Sequence, residues 1–409
     1  MTQLDILLPL FDTLEHIKHP QERNMTFLHS FCEKDYQYAR NFLLCYTGSE
    51  ATFNAYRREV ERLLQWSWLK QGKSICVLRR ADIENYLVFC QNPPECWISL
   101  KKVPRFILKE GLRIPNTSWR PFVVTLSKMA LKQGQEPSIK HYALSEIALK
   151  EIFAILSSFY NFLIQEEILD SNPIANIRQK SKFLRKRQGK PKIRRLSELQ
   201  WDYIIETAEM LAQEYPEKHE RTLFILSALF LMYLRISELT ASERWTPCMN
   251  DFHCDYDGLW WFTVVGKGNK ERDIAVSDTM LKALKRWRQY LHLSPLPSPA
   301  DQSPILPKVR GKGPISNTSF IRKIVQYCFN CTVERLKKDG FDEESASLTE
   351  ATVHWLRHTG ISEDVKIRPR EHVRDDAGHS SGATTDKYID VERRARHASA
   401  KHKILKKEP

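Results

Sequence analysis

At 409 residues the chain is too long for one ordinary domain, and two or three are expected. Hydrophobic residues make up 42%, with ten Trp and nineteen Phe, which supports real cores and excludes a disordered chain. A formal charge of +13 favours a polyanionic partner, either nucleic acid or an anionic membrane surface.

The longest apolar run, 223–234, is about twelve residues, against the roughly 20 needed to span a bilayer, so it reads as a buried helix. The opening Met1-Thr2-Gln3-Leu4-Asp5 has no basic region before an apolar core, so a soluble cytoplasmic protein is the expectation. Nine scattered cysteines suit a reducing compartment.

Residues 1–48 read as a helical extension, with a helix over about 26–46. From Ala51 the pattern sharpens. Phe53, Tyr56, Val60, Leu63 and Leu64 share one helical face, with Arg57, Arg58, Glu61 and Arg62 on the other. A shorter helix follows, with Asp82 near its start and Ile83, Tyr86, Leu87 and Cys90 as its stripe. Pro93 and Pro94 end it.

Over 94–140 periodicity weakens, and Lys101, Lys102, Arg105, Lys109, Arg113 and Arg120 interleave with Trp97 and Trp119. Such a stretch either tracks a DNA backbone or is a solvated loop with Trp119 on the core. Ser145 is placed to cap a helix whose stripe is Leu149, Ile152, Phe153, Leu156, Phe159, Tyr160 and Leu163, ended before Pro173.

The next stretch holds ten Lys or Arg and no acid: Arg178, Lys180, Lys182, Arg185, Lys186, Arg187, Lys190, Lys192, Arg194 and Arg195. A block of like charge stays extended until it meets an anion, so it reads as a linker crossing phosphates, or as a solvated tether.

The second half opens on Ser197 and Gln200, a capping-box pair starting a helix to about Leu211. The apolar helix 223–234 delivers Arg235 just past its end, and Ser237 is placed to cap the next helix. Runs 260–265 and 272–276 are β-rich, joined through Gly266, Lys267, Gly268, Asn269, Lys270 and Glu271 as a hairpin. Helices then cover 280–291 and 320–336, with a proline-rich loop, 294–314, between them. Cys328 and Cys331 form a Cys-x-x-Cys, but no second pair or His follows at zinc-finger spacing, and Cys328 continues the stripe Ile321, Ile324, Val325, Thr332. Cys248, His253 and Cys254 form a looser cluster with the same structural reading.

The chain is organised around 354–388. His354 and Arg357, three apart, share one helical face. Ala377-Gly378-His379 follows, and Tyr388 stands nine residues beyond His379, after Thr384 and Thr385. A planar cation, two imidazoles and a phenol are the parts needed to attack a phosphodiester.

This pattern resembles the tyrosine recombinases, the phage-integrase family: His-x-x-Arg, a later Gly-His, then Tyr. Two further boxes are expected upstream and both are present, Arg235 with Ser237 and Glu238, and Lys267 in its hairpin. The resemblance covers about 190–391. Departures are Tyr233 where a Gly usually precedes the first Arg by two, Val353 where Pro is common, and Ala377 in place of Leu. None removes a reacting group.

The implied fold is mainly α with a small β-hairpin or sheet. A helical core-binding DNA domain is joined by a basic linker to a mixed, mostly α catalytic domain. The expected parts are an extension (1–48), a core-binding domain (49–180) with an insertion at about 94–140, a linker (181–196), a catalytic domain (197–391) and a basic tail (392–409).

Arg235 and Arg357 suit the non-bridging phosphate oxygens, Lys267 suits protonation of a leaving 5′-hydroxyl, and Tyr388 suits the nucleophile. His354 and His379 suit phosphate hydrogen bonding and proton shuttling, and Glu238 holds the first Arg region in place. The resemblance implies site-specific DNA recombination by a mobile-element integrase, through a 3′-phosphotyrosyl link, without ATP, cofactor or metal. It also implies double-stranded DNA as partner, a dimer or tetramer on DNA, accessory DNA-bending proteins, and no membrane. The tail, with Arg393, Arg394, Arg396, Lys401 and Lys403, is either a helix passed to a neighbouring protomer or a basic extension adding phosphate contacts. Alternatives from the same residues are a type IB topoisomerase and a DNA-binding regulatory protein that has lost cleavage.

Overall fold

A computed structural model describes residues 7–19, 29–46, 49–178, 194–243, 245–266 and 270–379. It has two compact units, Met1–Lys190 and Pro191–Pro409.

The first unit is built on α1 (Leu14–Lys18), α2 (Ser30–Leu44), α3 (Glu50–Trp66), α4 (Arg80–Gln91), α5 (Lys128–Lys132), α6 (Glu146–Gln165) and α7 (Ala175–Arg178). Ser49 caps α3 by accepting from the Thr52 amide, and Ser145 caps α6 by accepting from that of Ala148. Phe42, Phe53, Leu64, Trp66, Tyr86, Leu156 and Phe159 share one core, which also takes in Leu7 and Phe11 from the N-terminal stretch. By length and composition α6 is apolar enough to cross a membrane, but its stripe from Leu149 to Leu163 is buried in this core.

The polar face expected on α3 is only partly solvated, through Arg58. Arg57 and Glu61 are buried, because the N-terminal stretch and the 94–140 segment cover that face. Glu61 accepts from the Leu10 and Phe11 amides and pairs with Arg105. Arg62 donates to the Pro121 carbonyl and lies 4.4 Å over the Phe122 ring.

The 94–140 segment carries β1 (Ile98–Ser99), β2 (Phe106–Lys109), β3 (Leu112–Pro115) and β4 (Phe122–Val123). β1 pairs parallel with β4, and β2 pairs antiparallel with β3 in the register Phe106↔Pro115. Trp119 is buried beneath Arg105. Arg105 and Arg113 hold Glu61 and Asp12 within the unit, so two of the segment's basic residues serve packing.

The second unit runs α8 (Glu198–Glu214), α9 (Pro216–Leu231), β5 (Phe252–Cys254), β6 (Trp260–Val265), β7 (Glu271–Ala275), α10 (Asp278–Tyr290), α11 (Thr318–Lys338), α12 (Asp342–Thr349), α13 (Val353–Asp364) and α14 (Arg370–Ala377). Ser197 and Gln200 form the expected capping box. Helix α9 starts earlier than its apolar run, with Pro216 at its first turn, where a missing N–H costs nothing. It packs against α8, α10, α11 and α13, so its face is buried nearly all round. The antiparallel sheet has the order β5-β6-β7 and the register Phe262↔Ile274 and Val264↔Arg272. Cys328 lies in the core with Phe224, Trp287 and Phe329, and burial pushes its thiol up to about 12. Among the described residues no three His, Cys, Asp or Glu converge on a metal position.

Candidate active site

The site forms where α9 stops. Beyond Leu231 the backbone reverses at Tyr233, whose φ of 50° is left-handed. For a non-glycine residue that conformation costs about 1–2 kcal/mol. The reversal puts Arg235 at the entrance of a single 3-10 turn, Ile236–Glu238. Ser237 does not cap a longer helix, as its position suggested. Glu238 closes the turn itself, accepting from the Arg235 amide at 2.8 Å and from Arg235 Nη1 at 2.8 Å.

Glu238 is 2% exposed, and Arg272 clamps its other edge, donating from Nη1 at 3.0 Å and Nη2 at 2.9 Å. Burial alone would raise the carboxyl, but the Arg272 and Arg235 contacts hold it below the usual glutamate range. Arg272 Nε also donates to the Asp376 carbonyl at 3.0 Å, fastening β7 to the end of α14. Gly378 ends α14 at φ 61°, where a Cβ would sit 2.9 Å from Arg272 Cδ and Nε. The position therefore needs glycine for both conformation and space.

Helix α13 presents His354 and Arg357 one turn apart. Arg357 is 2% exposed; its Nη1 donates to the Tyr233 carbonyl and its Nη2 to that of Ala377 at 2.5 Å. His379 Nε2 lies 3.3 Å from Arg357 Nη2, and Arg235 Nη2 donates to the Gly378 carbonyl at 3.3 Å. The two guanidiniums thus rest on consecutive carbonyls beside one imidazole. His354 is exposed, its ring 4.3 Å from that of His358.

Of the expected catalytic set, the structure brings Arg235, Arg357 and His379 together, with Glu238 beneath them and His354 one turn away. Lys267 and Tyr388 lie outside the described residues, but Gly266, at the foot of the Lys267 hairpin, sits against Arg272 and Glu238. Of the linker cations, Lys180, Lys182, Arg185, Lys186, Arg187, Lys190 and Lys192 also lie outside, and Arg178 is described by its backbone alone. Arg194 is exposed at the start of the unit, close enough for its charge to reach His354 and His358.

Sequence reasoning missed Arg272, Tyr233, Asp376 and His358. Arg272 had a signal: it alternates with Ile274 on the inward face of β7, where an arginine needs a carboxylate partner. A groove of about 660 Å³ between the starts of α9 and α11, lined by Arg221, Phe320, Ile324 and Tyr327 among others, shares none of the site residues.

No family profile matches the chain. It is 28% identical over 240 residues to a curated tyrosine recombinase XerC of Leptospira interrogans, a match covering 58% of this chain. The chain spans 65% of that relative's length. A curated tyrosine recombinase of Pseudothermotoga lettingae is 24% identical over 314 residues, covering 76% of this chain and 85% of the relative. In structure, the chain is similar to the XerH site-specific recombinase in its post-cleavage complex with palindromic difH DNA. That TM-score is 0.55 at 12% identity, over 95% of this chain and 93% of the other.

The chain is thus similar to curated tyrosine recombinases in sequence and to a site-specific recombinase in fold.

In this site the histidines sit among cations. Partial burial, then Arg357, Arg235 and Arg272, lower His379 to about 4. Burial and neighbouring charge lower His358 to about 4, and His354 moves in the same direction. A neutral His379 is also what the contact requires, since Arg357 donates and Nε2 must accept. The unfolded chain binds these protons near the ordinary 6.5, the folded one only near 4. Stability is therefore full above about pH 6.5 and falls as pH drops towards about 4. Thermal melts across that window should show His379→Gln and His358→Gln losing less Tm on acidification than wild type. Equal slopes would mean these rings titrate normally.

Proposed function

We propose that this recombinase breaks and rejoins double-stranded DNA at specific sites through a covalent 3′-phosphotyrosyl link to Tyr388, as the integrase of a mobile element. The observation that carries the reading is the convergence of Arg235 and Arg357 on the Ala377 and Gly378 carbonyls beside His379. A guanidinium has five N–H donors in a planar fork, so it can hold a carbonyl and a phosphate oxygen together.

On a scissile phosphate, Arg235 and Arg357 neutralise the non-bridging oxygens as charge builds on them. Each such donor is worth about 3–4 kcal/mol by analogy with oxyanion holes. The Tyr388 oxygen forms a bond to phosphorus, the bond to the 5′-oxygen breaks, and Lys267 gives that oxygen its proton. The phenol's proton passes to a neutral imidazole, His354 or His379. A 5′-hydroxyl from a second duplex then reverses the step. Linker cations from Lys180 to Arg195 follow the DNA backbone, and copies of the chain assemble as a dimer or tetramer on DNA, assisted by DNA-bending proteins.

The test is a nicked suicide duplex drawn from DNA flanking the gene, incubated with the protein in EDTA and run on a denaturing gel. The expected result is a protein–DNA adduct, because arginine and lysine cations do what Mg²⁺ does in two-metal nucleases. Cleavage lost on chelation and restored by Mg²⁺ or Zn²⁺ would overturn the mechanism. Strand exchange between two duplexes, in place of supercoil relaxation alone, separates a recombinase from a type IB topoisomerase.

A further inference from the structure

We propose that Tyr233 is a positioning residue of this site, holding Arg357 in place through its backbone carbonyl and a clamped phenol. The inference rests on the recombinase reading above and concerns how the Arg357 guanidinium is kept aimed.

Four described non-glycine residues have positive φ: Glu110, Glu167, Tyr233 and His292. Three are exposed, whereas Tyr233 is 1% exposed inside the second unit. Its left-handed backbone turns its carbonyl onto Arg357 Nη1. Rotation to the ordinary β or α region would swing that carbonyl away, and tyrosine favours such rotation where glycine is indifferent. Something must hold the residue there.

The phenol does so. Its O–H donates to Asp364 at the end of α13, and Arg368 Nη1 donates to its oxygen at 3.0 Å. Burial, then the Asp364 contact, push the phenol's pKa up, so it stays protonated at working pH. The clamp continues outward: Arg368 Nη2 pairs with Asp376 Oδ2 at 2.6 Å, and Asp376 Oδ1 accepts from the Ala275 amide at 3.3 Å. The hydroxyl thus joins a network that links α13, α14 and β7, in which Arg368 also pairs directly with Asp364 at 3.3 Å. A glycine there would adopt the backbone conformation but leave Asp364 and Arg368 without the phenol between them.

The test compares wild type, Tyr233→Phe and Asp364→Ala, the second unclamping the same hydroxyl from the other side. Adduct rate on the suicide duplex should fall about ten-fold or more in both, with DNA affinity unchanged. A second readout is the NMR titration of the His379 ring. Arg357 is the largest charge lowering its pKa, so a guanidinium that has lost its aim lets that pKa rise towards 6.5. A wild-type adduct rate in Tyr233→Phe would overturn the proposal. So would a slowed rate with an unmoved His379 titration, which would mean the phenol supports folding alone. Absence of adduct from wild type would instead sink the recombinase reading.

Discussion

Tyr388→Phe should abolish the covalent adduct while leaving DNA affinity almost intact. One hydroxyl is lost, and it is the atom proposed to attack phosphorus. Removing a nucleophile from an otherwise intact site lowers rates by a factor on the order of 10³ or more. Binding survives because phosphate contacts from arginines and lysines carry most affinity for DNA. The nearest rival phenol in the described site, Tyr233, is 1% exposed, with its hydroxyl held between Asp364 and Arg368. Tyr327 is 52% exposed but lines the separate groove beside α11. Adduct formed by the variant at the wild-type rate would move the nucleophile to one of these, and peptide mapping of the linked residue would say which.

Glu238→Ala should be the most damaging change at a residue that never touches substrate. It strips the acceptor from two arginines, one of them 13% exposed at its side chain, leaving positive charges facing each other across a buried void. Breaking such a pair from one side typically costs about 3–5 kcal/mol. In a unit of this size that lowers Tm by roughly 6–20 °C. Glu238→Gln keeps the shape and an acceptor oxygen, and should cost less. The carboxylate's contribution is present above the ordinary glutamate pKa and disappears as pH falls through its lowered folded value. Wild type and Glu238→Gln should therefore converge in stability in acid. A melt of Glu238→Ala within a degree or two of wild type would show that the arginines find other partners.

Long helices with one apolar face were legible in the sequence, because a 3.6-residue period is a local property: α3, α6, α8, α10 and α11 all fall where that period put them, with Ser145 and Ser197 marking the starts of α6 and α8. Short charged helices were not. Helix α12 opens with Asp342, Glu343 and Glu344 and buries Ser345, Leu348 and Thr349, too little apolar surface to show a stripe. Helix α14 is mostly charged and buries Asp376 through its partners Arg368 and Ala275. The polar face of α3 misled for a related reason: Glu61 and Arg57 find partners in chain some fifty residues away, which no local window contains.

At the site, Arg235, Arg357 and His379 were legible because chemistry restricts the residue type at each. Their supports were not, since many side chains can brace an arginine. Tyr233 stood out in the sequence only as a missing glycine; its left-handed backbone explains both why glycine suits the position and what this chain does in its absence.

The chain's point of entry into the second unit has a mechanical meaning. Arg194 is the first described residue there, and at buried Leu196 the backbone amide donates to Thr359 Oγ1 at 2.9 Å. Thr359 lies two residues beyond Arg357 on the same helix. The chain's entry into the unit is thus fastened to the very rod that carries His354 and Arg357. Ser197 Oγ, one residue on from Leu196, donates to Glu344 Oε2 at 2.9 Å, so a displacement at this entry reaches α13 directly and α12 beside it.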